Sequence, residues 1–141
     1  MKYVVDASVA ICWAIPRPLT PQAVRLRDEY QRQVHELLAP AIFIDEVAGA
    51  LTKAERQKDI PVGQAIALYA KVMNSPPVLI PHASLIARAI VISSRTRSGY
   101  YDCLYVALAE RERCELITAD QKSISNLAPY FPFIVPLASL P

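Results

Sequence analysis

The segment Tyr100 to Asp120, YYDCLYVALAERERCELITAD, constrains the fold of this chain more than any other stretch. Leu104, Ala107, Leu108 and Arg111 recur at helical spacing, and the charged run Glu110 to Arg113 supplies the solvated end of that helix. Asp102 falls in its first turn. Leu116 and Ile117 then form a short apolar strand that ends in Thr118, Ala119 and Asp120, so the unit is helix, tight turn, buried strand, acid. Each acid alone has an ordinary explanation: Asp102 complements the dipole of its helix, and Asp120 caps a helix from Gln121 to Leu127. The pattern repeats, however. The first apolar strand, Tyr3 to Val5, also ends in an acid, Asp6, which opens the unrelieved run Ala7, Ser8, Val9.

A chain of 141 residues that is 53% hydrophobic has enough apolar side chains for one compact domain, 1–141, and little room for a second. A net charge of +2 permits a polyanionic partner without demanding one. Cys12, Cys103 and Cys114 are odd in number and show no metal-ligand spacing, so they are expected as small core residues in a reducing cytosol. The amino terminus reads as a strand with an acid in it and lacks the basic region and cleavage site of a signal peptide, and no apolar run approaches bilayer length. A cytoplasmic protein with no membrane partner is the expectation.

Along the chain, Lys2 to Asp6 is the first predicted strand and Ala7 to Ala14 a short helix broken by Pro16 and Pro18. Thr20 is predicted to cap a helix with Pro21 at its first position. Arg25 with Glu29, and Asp28 with Arg32, form its solvated face. Leu37 to Ala39 is a strand, and Phe43 to Lys58 a helix with Val47, Ala50, Leu51 and Ala54 on its apolar side. Glu46 lies in the first turns of that helix, beside the apolar stripe. Its neighbour Asp45 points about 100° away, which makes Glu46 the inward candidate. A helix is expected over Val62 to Met73, a strand over Val78 to Ile80, and a helix over Ala83 to Arg95 that buries Leu85, Ile86, Ala89, Ile90 and Ile92. A helix over Gln121 to Ala128 and a strand over Phe133 to Val135 complete the chain.

Short apolar strands alternating with helices are the signature of an α/β fold whose parallel sheet is covered on both faces. In such sheets ligands bind beyond the carboxyl ends of the strands. Asp6 and Asp120 follow strand ends, while Glu46 and Asp102 lie in first turns of helices that start at that same edge, so all four are expected to converge there. Close carboxylates raise one another's pKa and resist burial unless a cation joins them. A hard divalent ion, Mg²⁺ or Mn²⁺, suits an oxygen-only set and keeps several waters. Zinc does not suit it, because His35 and His82 stand far from the acids in sequence. An ion held this way can activate water and stabilise the leaving oxygen in phosphodiester cleavage. Neither histidine shares a motif with the acids and no lysine stands beside Asp6 or Asp102, so metal-activated water is the expected nucleophile.

Four motifs in order resemble the PIN-domain ribonucleases: VVDAS at Val4 to Ser8, PAIFIDEVAGAL at Pro40 to Leu51, YYDCLYVALAE at Tyr100 to Glu110 and LITAD at Leu116 to Asp120. Within that family the chain is most similar to the VapC-like toxins of toxin–antitoxin pairs, over nearly its whole length. The resemblance implies a PIN-like three-layer α/β/α sandwich with a short, mainly parallel central sheet. It implies an endoribonuclease in which Asp6, Glu46, Asp102 and Asp120 hold Mg²⁺ or Mn²⁺, with Ser8 and Thr118 supporting the site. It also implies a homodimer silenced by a small VapB-like antitoxin. The chain departs from the family where an Asn commonly follows the Glu by three residues, because Gly49 stands there. Either the backbone approaches another element at Gly49, or Glu46 is held less firmly.

Other acid-rich α/β folds fit less well. A haloacid-dehalogenase-like phosphatase would want an Asp where Ser8 stands, a receiver domain an Asp after Val78 to Ile80, and a nucleotide-binding module a glycine-rich turn after the first strand. The remaining alternative is a PIN-like fold used as a catalytically silent binding or assembly module. The sequence does not name an RNA target; discrimination would fall to basic residues such as Arg17, Arg95, Arg97 and Lys122.

Overall fold

A computed structural model describes residues 1–141. Five strands, β1 (Lys2–Val5), β2 (Glu36–Pro40), β3 (Val78–Ile80), β4 (Glu115–Thr118) and β5 (Ile134–Pro136), form one sheet in the order β3-β2-β1-β4-β5. Every pairing is parallel. The helices are α1 (Ala7–Ala14), α2 (Thr20–Gln31), α3 (Phe43–Arg56), α4 (Gln64–Met73), α5 (Ile86–Thr96), α6 (Tyr100–Glu112) and α7 (Gln121–Leu127).

The chain winds outward from β1 through β2 to β3, then crosses back to β4 and on to β5. Right-handed crossovers in opposite directions require helices on opposite faces of the sheet. Accordingly α1, α2, α3 and α4 pack among themselves, while α6 packs on α5 and against β1, β2 and β4. The reversal of direction falls between β1 and β4, where an open parallel sheet leaves a crevice at its carboxyl edge.

Residues Cys103 to Ala109 of α6 are buried without interruption. An apolar stripe of the expected width would have left the opposite face of every turn exposed, so over this run α6 is the central helix of its layer, shielded all round. In the other layer, Val9, Ala10, Phe43, Val47 and Leu51 are buried on α1 and α3, which pack on each other. No helix is long and apolar enough to cross a membrane.

Three local expectations are corrected. Thr20 does not cap α2, whose N-cap is Leu19. Its hydroxyl instead accepts from the Arg17 amide at 2.8 Å and donates to the Cys12 carbonyl at 2.8 Å, which stitches the proline loop shut. In α5 the inward stripe is Leu85, Ala89 and Ile92, at i, i+4 and i+7, which turns Ile86 and Ile90 by about 100° into solvent; Ile90 is 52% exposed. Helix α4 begins later than Val62 because Gly63 takes φ +88°, a left-handed conformation that interrupts the helical backbone. On the α2 surface Arg25 pairs with Glu29 at 3.2 Å, whereas Asp28 and Arg32 form no ion pair.

Candidate active site

The β1–β4 pairing sets Val5 opposite Ile117, so the residues that follow each strand end side by side. Asp6 is the N-cap of α1: its Oδ1 accepts from the Ser8 amide at 3.1 Å and from the Ser8 hydroxyl. Its Oδ2 accepts from Thr118 Oγ1 at 2.5 Å. Thr118 in turn accepts from the Asp120 amide at 3.1 Å, and Ser8 Oγ accepts from the Ala119 amide at 2.9 Å. Two hydroxyls thereby tie the end of β1 to the end of β4. Asp120 caps α7, accepting from the Lys122 amide at 3.1 Å and from Ser123 Oγ at 3.0 Å. Capping and convergence therefore coexist in Asp6 and Asp120, because a carboxylate has about four acceptor sites and these bonds occupy three on Asp6 and two on Asp120.

Glu46 and Asp102 each sit in the first turn of a helix, α3 and α6, where an acid complements the helix dipole. All four acids line one cleft of about 790 Å³, together with Ser8, Arg17, Lys53 and Tyr105. Asp45 is exposed and does not line it. Burial pushes Asp6 up to about 6; the Ser8 and Thr118 hydroxyls oppose that rise, and the charges of Asp102 and Asp120 add to it. Glu46 is raised by burial, partly offset by the Tyr105 hydroxyl and reinforced by Asp102. Asp102 is raised by burial, with Ser123 and Lys122 opposing and Asp120 reinforcing. The cleft thus concentrates negative charge in a poorly solvated place.

No three His, Cys, Asp or Glu side chains stand close enough to enclose one ion by themselves. The four acids offer oxygen donors only, a set that would fit a hard cation held by one or two carboxylates with water completing its shell. His35 lies elsewhere, at the amino end of β2, stacked edge-on against Tyr3 with ring centroids 5.3 Å apart.

Of the basic residues singled out in the sequence, Arg17 lines the cleft and Lys122 acts on Asp102, whereas Arg95 and Arg97 do not line it. Two cleft residues escaped the sequence. Tyr105 stands three residues after Asp102 on α6, and Lys53 seven after Glu46 on α3, spacings that keep each pair on one helix face. Tyr105 is 1% exposed and its hydroxyl has no hydrogen-bond partner of normal geometry; burial and the nearby Glu46 charge hold it protonated. Gly49 settles one alternative: a Cβ there would meet nothing within 4 Å, so no backbone approaches.

A family model described as the PIN domain matches residues 3–128. Ribonuclease VapC3 of Pyrobaculum aerophilum is 31% identical over 137 residues, covering 96% of this chain and 98% of that protein. Among solved structures, PAE2754 from Pyrobaculum aerophilum superposes with a TM-score of 0.71 at 20% identity, over 99% of this chain and 94% of its own. Mycobacterium tuberculosis VapC20, a toxin that cleaves the Sarcin-Ricin loop, superposes with a TM-score of 0.59 at 15% identity, over 86% and 90% of the two chains. These two likenesses bear on the fold.

Proposed function

The chain belongs to the PIN-domain family, and from that premise we propose that it is a Mg²⁺- or Mn²⁺-dependent endoribonuclease, the toxin of a VapBC-type toxin–antitoxin pair. The observation that carries this reading is the meeting of Asp6, Glu46, Asp102 and Asp120 in one cleft at the point where the chain reverses across the sheet.

The divalent ion, when bound, supplies an activated water and neutralises charge that develops on the phosphate and leaving oxygens. The chain's own residues do the rest. Asp6 is fixed by Ser8 and Thr118, so its carboxylate presents one geometry instead of a rotamer mixture. Asp120 is fixed by the α7 amide and Ser123. Glu46 and Asp102 face the same space from opposite layers of the sandwich, which makes the cleft a seam between α3 and α6. Ala7, Ile11, Leu19 and Ala50 supply apolar walls beside the acids. The partners are RNA, a VapB-like antitoxin covering the acidic cleft, and a second copy of the chain, in the cytoplasm. Exposed apolar side chains on α5, Ile86, Ile90 and Val91, support a second copy, and light scattering at micromolar concentration tests it.

The deciding experiment is end-group analysis of RNA cut by the purified protein in Mg²⁺ or Mn²⁺, against an EDTA control. Direct attack by water leaves a 5′-phosphate and a 3′-hydroxyl. Cyclic-phosphate ends, or cutting undiminished by EDTA, would overturn the mechanism; no cutting with either ion would leave a silent binding module.

A further inference from the structure

We propose that Lys53 grips the RNA backbone at a phosphate beyond the one being cut, and so sets the register of the strand over the acids. The inference rests on the ribonuclease reading above. It starts from an asymmetry in the cleft, whose lining carries four acids and two cations, Arg17 and Lys53.

The two cations differ in availability. Arg17 Nη2 bonds Asp59 Oδ2 at 2.6 Å, and that pairing holds Asp59 below the usual carboxylate range. Its charge is largely answered within the chain. Lys53 is exposed and makes no ion pair and no hydrogen bond, so it is the cleft's one uncompensated cation.

Position gives Lys53 its role. Glu46, Ala50 and Lys53 all line the cleft from α3, at i, i+4 and i+7, within a stripe about 60° wide. Seven residues of helix separate the Glu46 and Lys53 backbones by about 10 Å along the axis. The small side chain of Ala50 leaves the path between them open. A polyanion entering this cleft meets repulsion from the acid cluster, and a cation at that remove on the same helix face offsets it without neutralising the acids. A lysine, as a compact point charge on a flexible stem, suits a phosphate whose bases vary.

The test is steady-state cleavage of a short single-stranded RNA in Mn²⁺ over a series of salt concentrations, with Lys53→Ala, Lys53→Arg and, as an off-cleft charge control, Lys71→Ala. The exposed position keeps Lys53→Ala folded, which its melting temperature verifies. Expected for Lys53→Ala is a KM raised roughly five- to tenfold with kcat within about twofold, the size of one lost charge-assisted contact. The slope of log kcat/KM against log salt should shrink by about 0.7, the counterion release of one single-strand phosphate contact. Lys53→Arg should restore KM, and Lys71→Ala should match the parent. Unchanged KM and slope in Lys53→Ala, or a fall in kcat alone, would overturn the proposal while leaving the ribonuclease intact. Absence of RNA cleavage by the parent protein would overturn the ribonuclease reading itself, and this proposal with it.

Discussion

Thr118 Oγ1 donates to Asp6 Oδ2 across 112 residues of chain, and the same oxygen accepts from the Asp120 amide at 3.1 Å. One buried hydroxyl thus links two acids that close different strands. Thr118→Val keeps the shape and removes both bonds, stranding a carboxylate oxygen and an amide in a poorly solvated place. We expect a loss of about 1–3 kcal/mol in urea unfolding. Cleavage should fall roughly 10- to 100-fold, since Asp6 loses the partner that orients it. Parental stability and activity together would show that the bond does neither job.

Gly49 is exposed, lies inside α3, and has nothing within 4 Å of where a Cβ would stand. Its backbone is already helical, so alanine enters without strain and reduces only the freedom of the unfolded chain. Gly49→Ala should stabilise the protein by about 0.5–1 kcal/mol. Because the added methyl touches nothing, metal-dependent cleavage should stay within about twofold. Calorimetry with a parallel activity assay checks both, and a large activity loss would mean that the cleft needs a flexible α3.

The Tyr105 hydroxyl is buried, lacks a well-formed hydrogen bond and sits beside Glu46. Tyr105→Phe preserves the ring packing and removes a buried hydroxyl whose contact with Glu46 is poorly formed, so stability should stay within about 1 kcal/mol of the parent. Glu46 would lose the hydroxyl that offsets its burial, and its carboxyl should rise further. Weaker Mn²⁺ binding by isothermal titration, with activity down roughly tenfold, is the expected pattern. Unaltered ion affinity would assign Tyr105 to packing alone.

Much of this arrangement was legible in the residues for a definite reason. Apolar strands of three to five residues alternating with helices leave a parallel sheet few alternatives, and the β3-β2-β1-β4-β5 order then brings together the residues after β1 and β4, the two strands that are followed by an acid. The phase of α5 was not legible. Its apolar residues populate two stripes, Leu85–Ala89–Ile92 and Ile86–Ile90, and only packing on α6 selects the first. Tyr105 was hidden for a related reason: inside the buried run Cys103 to Ala109 a tyrosine reads as core, and nothing local reveals that its hydroxyl reaches the cleft. Thr20 combines a cap residue type with a position before Pro21, yet the proline loop needed its hydroxyl more than α2 did.

The pH response of the metal-free protein follows from Asp6, whose carboxyl is pushed from 3.8 up to about 6, chiefly by burial. An acid raised in the folded state binds its proton more tightly there than in the unfolded chain. Between about pH 4 and 6 the folded state therefore holds a proton that the unfolded state has released, and stability falls as pH rises through that window. The difference corresponds to about 3 kcal/mol at most. Glu46 and Asp102, also raised, act in the same direction. Asp59, Glu110 and Glu112, lowered by their cation partners, act in the opposite direction, but as solvent-screened surface pairs they contribute less. Asp6→Asn removes the largest contributor while retaining an acceptor oxygen for the Ser8 amide. In urea unfolding with EDTA, its stability should change less between pH 4 and 6.5 than the parent's, and it should be the more stable protein at pH 7. Mn²⁺ should stabilise the parent more than the variant, and RNA cleavage by the variant should be undetectable. Full cleavage by Asp6→Asn would remove Asp6 from the site, and a parent whose metal-free stability rises from pH 4 to 6.5 would contradict the buried-acid account of the cleft.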